Sequence, residues 1–378
     1  MEPSRRALLQ TLAGLGGAAL LPGAWAKGSS RRLVLIELNG GNDPLNAFPP
    51  HRDPLYRKYR PSVGVPDGDI IKLMPQIGWH PALRALLPAW EAGEVALVQG
   101  TGYSDPVLSH FESARIWETG QRDTRQDSGW MTQALAQRRA PDPAAVIFGF
   151  SRGPLRSYRH GVLQLHNLSS LGSDSVQLAA QANTEALRYL LEIHTQSQAL
   201  AQYRSALEKL PPLTPLQQKS RPLMTTLRCV GALMTQPQAP VIYKLIHGGF
   251  DTHIGQVEAQ GRQLDRLAEA LAYFRVLMTQ LGLWNDVLII TYSEFGRRVA
   301  ENASGGTDHG AAQTQLLMGR GVAPGLHGTV PDLAALDADG NLRHQIDFRT
   351  VYNQVCTLWL GWDRPFALDD SSIRFLRA

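Results

Sequence analysis

Four short stretches of the chain hold most of its reactive side chains: N-G-G-N-D (39–43), S-H-F-E-S (109–113), G-F-D-T-H (249–253) and S-E-F-G-R-R-V-A-E-N-A-S-G-G-T-D-H-G (293–310). Carboxylates mixed with imidazoles suit a divalent cation, and Asp251 and His253 offer two ligand types one residue apart. Ser109 stands where a helix begins, a position whose unpaired amides favour an anion. Each residue also has a plainer reading. Asp43 in N-D-P fits an Asx turn, and Asp251 fits a helix cap. Ser109 with Glu112 fits a capping box, Glu294 fits an ion pair with Arg297 or Arg298, and His309 fits a loop histidine. What sets them apart as a group is position, because each stretch follows an apolar run that reads as a strand.

Those runs are R-L-V-L-I-E-L (32–38), V-A-L-V-Q-G (95–100), V-I-Y-K-L-I-H (241–247) and V-L-I-I-T-Y-S (287–293). They are aliphatic or β-branched without clean alternation, as expected for strands covered on both faces. Between the last two, residues 256–282 place Leu264, Leu267, Leu271, Phe274, Met278 and Leu281 on one helical stripe. Strand, long helix and strand form the crossover unit of a parallel sheet. The expected fold is therefore α/β, a doubly wound, mostly parallel sheet flanked by helices, in a single domain over residues 32–378. Residues 184–239 read as a helical insertion, either a lid or a dimer surface. In such sheets ligands bind outside the carboxyl ends of the strands, where all four polar stretches fall.

The 378 residues are 43% hydrophobic and 19% charged with a formal net charge of +4, which fits a globular chain and offers no basic stripe for nucleic acid. Two cysteines, Cys229 and Cys356, exclude a disulfide scaffold or a thiolate zinc site. The N-terminus has twin arginines in S-R-R-A-L-L-Q (4–10), a short glycine-containing apolar stretch and A-W-A at 24–26. These are the parts of an export leader of the twin-arginine type over residues 1–26. The expectation is passage through the twin-arginine machinery to the periplasm or beyond, with no stable membrane span after cleavage. A G-x-S-x-G elbow is absent, which argues against a Ser-His-Asp esterase. Neither glycine fingerprint for nucleotide phosphates is present.

The motifs N-G-G-N-D, S-H-F-E-S, G-F-D-T-H, S-E-F-G-R-R and G-T-D-H-G together resemble those of the secreted domain-of-unknown-function 1501 family, grouped with the alkaline phosphatase and sulfatase superfamily. The resemblance runs from Leu33 to the D-F-R-T-V-Y-N-Q-V segment (347–355). It implies one or two divalent ions (Zn, Mn, Mg or Ca) held by Asp43, Asp251, His253, Glu294, Asp308 and His309. It further implies Ser109 as nucleophile, with Asn42, His110 and Arg297 on the substrate side. The implied activity is hydrolysis of phosphate or sulfate esters, small molecules or glycans. Its alternative is a non-catalytic relative binding a polyanion, glycan or protein. Phe295 stands where a metal-binding histidine is usual, making any second ion oxygen-rich. Ser109 is followed by His110 and not by the Pro-Ser-Arg run of formylglycine sulfatases. Pro44 replaces a more usual glycine, and the Asp-Thr-His spacing is short.

Overall fold

Alternate residues of the first strand, β1 (Arg32–Leu38), pack to opposite sides. Leu33 and Leu35 join one apolar cluster, while Val34, Ile36 and Leu38 join another. Both clusters are fully buried, which is why the strand carries no polar alternation. The computed structural model describes residues 31–136, 143–158, 161–165, 205–214, 217–218, 221–368 and 373–377. The leader and residues 184–204 lie outside them.

β1 is flanked in parallel by β5 (Ile242–His247) and β6 (Val287–Tyr292), with Leu38 opposite His247 and Glu37 opposite Tyr292. The sheet also contains β2 (Val95–Gly102), β3 (Ala145–Phe148), β4 (Val162–Leu165), β9 (Gln313–Met318) and β10 (Gly325–His327). Their order is β10-β2-β9-β6-β1-β5-β3-β4, with β11 (Ile346–Asp347) also paired to β2. All neighbours are parallel except β9, which runs antiparallel to β2 and β6. A separate two-stranded ladder, β7 (Gly296–Arg297) with β8 (His309–Gly310), closes the loop between them.

One face of the sheet is covered by the helices Pro222–Met234 and Gln256–Gln280, the other by His110–Thr119, Trp130–Ala136 and Phe348–Gln354. In the long helix Leu264, Leu267, Leu271, Phe274 and Met278 are buried, and Leu281 just beyond it is partly buried. Helix Pro222–Met234 belongs to the core: Leu227 and Val230 have no exposure, and a side chain at Gly231 would meet Leu277. The described end of the 184–239 segment thus covers the sheet instead of projecting from it. Cys229 and Cys356 are free, buried thiols on opposite faces. Among the described residues no helix is long and apolar enough to cross a membrane.

Candidate metal centre at the sheet edge

The carboxyl ends of β1, β5 and β6 meet on one edge, and the loops leaving them are pressed together. A side chain at Gly40 would lie 2.3 Å from the Asp251 amide nitrogen, and one at Gly306 would lie 2.3 Å from the His253 carbonyl. Glycine is required at both points by space, and at Gly40 also by a φ of +113°. The β7–β8 ladder sets Arg297 opposite His309, so the two ends of the 293–310 stretch fold back beside each other. That pairing brings His309 to the same edge as Glu294.

Three histidines and one aspartate converge there. His253 Nε2 lies 3.0 Å from His309 Nε2. Asp251 Oδ1 is 3.2 Å from His253 Nε2 and 3.3 Å from His309 Nε2, and Oδ2 is 3.5 Å from His110 Nε2. The other ring nitrogen of each histidine faces an oxygen that only accepts. His110 Nδ1 is 2.8 Å from Glu294 Oε1, His253 Nδ1 is 3.1 Å from Asp308 Oδ1, and His309 Nδ1 is 2.8 Å from the Leu108 carbonyl. With the proton on Nδ1 each Nε2 is a lone pair, whereas a proton on the Nε2 of His253 or His309 bonds Asp251 Oδ1. Lone pairs 3.0 Å apart repel unless a proton or a cation lies between them.

Burial holds the His309 pKa below its usual value, opposed by the Leu108 bond and aided by the Arg297 charge. Burial would raise Asp251, but the hydrogen bond from Arg297, 2.7 Å away, together with His309, holds it at about 2. Asp308 is lowered by its bond from Asn302 and by His253, which outweigh burial. Phe295, 1% exposed, forms the floor, with its ring centroid 4.8 Å from His110 and 4.2 Å from His309.

These placements differ from the sequence expectation in several respects. Asp251, His253 and His309 come together, joined by His110, which had been placed on the substrate side. Glu294 and Asp308 stand one layer behind as acceptors for His110 and His253. Asp43 lies outside the group: it forms a buried ion pair with Arg60, caps Leu45 N at 3.0 Å and accepts from Gln256. Its charge is already answered, so it has no need of an ion. Arg297, expected to clamp substrate, is fully buried and donates to the carbonyls of Gly40, Gly41, Phe250 and Thr307 as well as to Asp251. Asn42 is buried, its side-chain oxygen accepting from Gln260 at 3.0 Å. Ser109 is exposed at the start of helix His110–Thr119, with no capping bond from its side chain. It sits between Leu108 and His110, both of which serve the site. The role of the Leu108 carbonyl had no sequence signal. A histidine directly after a strand-end serine was the signal for His110.

The sequence matches the family model described as "Protein of unknown function (DUF1501)" over residues 71–356. The chain belongs to the DUF1501 family. No curated protein matches it. Solved structures similar to this DUF1501 protein include the alkaline phosphatase from the Antarctic bacterium TAB5, at 10% identity and a TM-score of 0.37, covering 77% of this chain and 92% of that one. The PsFucS1 sulfatase from Pseudoalteromonas sp. is also similar, at 10% identity and 0.36, with 84% and 67% covered. So is the lipoteichoic acid synthase LtaP from Listeria monocytogenes, at 10% and 0.34, with 76% and 65% covered. At this level of likeness neither residue roles nor reactions transfer.

Three imidazole nitrogens and a carboxylate are a donor set for zinc or manganese and a poor one for calcium or magnesium, which prefer oxygen alone. Among the described residues His110, Asp251 and His309 offer ligand atoms within 4.8 Å of one another, and His253 Nε2 lies beside them, 3.0 Å from His309 Nε2. The backing carboxylates of Glu294 and Asp308 match the orienting layer that metal-bound histidines require. The donor set fits a divalent ion held by His110, Asp251 and His309, with His253 adjoining them.

Proposed function

We propose that this protein is a metal-dependent hydrolase of phosphate or sulfate esters, working with one divalent ion at the carboxyl edge of the sheet. The convergence of three histidines on Asp251 carries this reading. An ion held there supplies Lewis acidity toward an ester oxygen. Glu294, Asp308 and the Leu108 carbonyl fix the ring orientations, and Phe295 excludes water from beneath. Ser109 is the available nucleophile: its Oγ bonds to phosphorus or sulfur as the bond to the ester oxygen breaks, the hydroxyl proton ends on the departing alcohol, and water later hydrolyses the serine ester to free the acid group. The start of helix His110–Thr119, with no side-chain cap from Ser109, leaves amides that favour negative oxygens. Export through the twin-arginine route, ending in the periplasm or outside the cell, is part of the proposal and rests on the S-R-R leader.

The test combines metal analysis of purified protein with Ser109→Ala assayed on aryl phosphate and aryl sulfate. The expected result is about one zinc or manganese per chain, and a rate lost by at least a hundredfold in the variant. Protein that takes up no metal and hydrolyses neither ester would defeat the reading. A second reading, a non-catalytic relative that binds a polyanion, glycan or protein partner, is favoured by the Asp43–Arg60 pair and by Phe295, which occupy places where ion ligands were expected. It requires bound anion without hydrolysis, and equal anion affinity in Ser109→Ala.

A further inference from the structure

A fully buried glutamine is uncommon, because its amide gives up water on both nitrogen and oxygen. Gln256, the first residue of the long helix, has no exposure, and both polar atoms of its side chain are engaged. Its Nε2 donates to Asp43, and its Oε1 accepts from the hydroxyls of Thr252 at 3.2 Å and Thr307 at 2.6 Å. The Asp43 carboxylate, paired with Arg60, only accepts, so the amide has one orientation: nitrogen toward Asp43, oxygen toward the threonines. The two threonines lie on the inner side of the segments that build the centre. Thr252 and Thr307 are 3% and 0% exposed, whereas the side chains of Asp251, His253 and Asp308 are 48%, 40% and 53% exposed. On the outer side the same two segments meet in three contacts: His253 with His309, Asp251 with His309, and His253 with Asp308. Those contacts need a fixed spacing between the two main chains. The inner side supplies it, through the Thr307 amide on the Thr252 carbonyl at 3.2 Å and the Gln256 oxygen between the two hydroxyls.

We infer that Gln256 is a positioning residue: it sets the spacing between segments 251–253 and 307–309, and thereby the separation of the donor atoms, from one layer behind them. The inference rests on the metal centre proposed above. An apolar side chain of the same size would cost less to bury, but it would leave Thr252, Thr307 and Asp43 each short of a partner. A shared acceptor fixes the two hydroxyls relative to each other, which an apolar contact, having no direction, does not. Asp43, held in turn by Arg60, joins the first loop to the same amide. Gln260, one turn further along the helix, donates to the Asn42 side chain at 3.0 Å and to the Asp43 carbonyl at 2.9 Å, so the helix start is fixed to that loop as well.

The test is zinc titration against a chromophoric chelator in Gln256→Met, Thr307→Val and Thr307→Ser, with Leu227→Ala, a buried core change, as the control for lost stability. Removing a group that orients a metal ligand typically costs roughly 10–100-fold in affinity, and Gln256 acts at one remove from such groups. Affinity should therefore fall about tenfold in Gln256→Met and about three- to tenfold in Thr307→Val. Thr307→Ser, which keeps the hydroxyl, should stay within about twofold of the native protein, and so should Leu227→Ala despite its lower urea midpoint. The visible bands of the cobalt-loaded protein, which follow ligand geometry, should shift in Gln256→Met. Should Gln256→Met not fold, the two Thr307 variants carry the test. Native affinity in Gln256→Met and Thr307→Val, or an equal loss in Leu227→Ala, overturns the inference. So does a loss in Thr307→Ser as large as that in Thr307→Val, since the hydroxyl would then not matter. Native protein that takes up neither zinc nor cobalt defeats the metal centre itself, and the positioning role with it.

Discussion

Replacing Glu294 by glutamine isolates the layer behind the histidines. The glutamine oxygen is still able to accept from His110 Nδ1 and from the Gly40 amide, 2.9 Å from Oε1 in the native side chain. Only the carboxylate charge is lost. That charge raises the basicity of a ligating imidazole, and changes in this layer typically cost 10–100-fold in metal affinity. Glu294 is 2% exposed and 2.8 Å from His110, whereas Asp308 is 53% exposed, 3.1 Å from His253 and shared with Asn302. Solvent screens the second pair and not the first. Glu294→Gln should therefore weaken zinc binding close to a hundredfold, about 2.7 kcal/mol, and Asp308→Asn tenfold or less, about 1.4 kcal/mol at most. The assay is competition titration against a chromophoric chelator at pH 7.5, with circular dichroism to verify folding. Equal effects, or a greater loss in Asp308→Asn, would refute the argument from burial. An unchanged affinity in Glu294→Gln would refute the role of His110 as a ligand.

Other outcomes follow from the same structure. Asp43→Asn and Arg60→Leu should each destabilise the protein by about 3–5 kcal/mol in urea titrations, because each strands a buried charge. Zinc stoichiometry should stay the same; a loss of bound metal in Asp43→Asn would return Asp43 to the ligand set. His80 is held near pKa 4, mainly by burial, against 6.5 when unfolded. Its contribution is fully present above pH 6.5 and is lost as pH falls through 4, amounting to about 3 kcal/mol. His80→Asn, which keeps a cap for the Ala82 amide, should flatten urea midpoints between pH 7 and pH 4.5; an undiminished slope would contradict this. Arg297→Lys should cost about 3 kcal/mol or more, since an ammonium cannot reach the carbonyls that the guanidinium spans. A urea midpoint like that of the native protein would disprove the staple.

The four long strands and the helix Gln256–Gln280 were legible because uninterrupted aliphatic runs and a clean apolar stripe have few other outcomes. Strands β3 and β4 are four residues each, and β9 opens with Gln313, Thr314 and Gln315, all buried, so hydropathy did not mark them. Asp251, His253 and His309 stood out because ligand types at strand ends have an unusual address. The division into inner and outer residues did not show. Whether Glu294 holds an ion or a histidine depends on which atom it faces, and residue type says nothing of that. Arg297 misled for a related reason: its partners are mostly backbone carbonyls, which every sequence contains. Asp43 misled because its partner, Arg60, is an ordinary arginine seventeen residues on.

The pair formed by Asp43 and Arg60 has a bearing on how the protein meets its surroundings. A carboxylate beneath a sheet edge wants a positive neighbour, and here that neighbour is covalently part of the chain, put in place by folding itself. No chelator removes it and no shortage in the medium leaves it vacant. The first loop keeps its shape whatever the supply of trace elements. Its frame is complete as soon as the chain has folded.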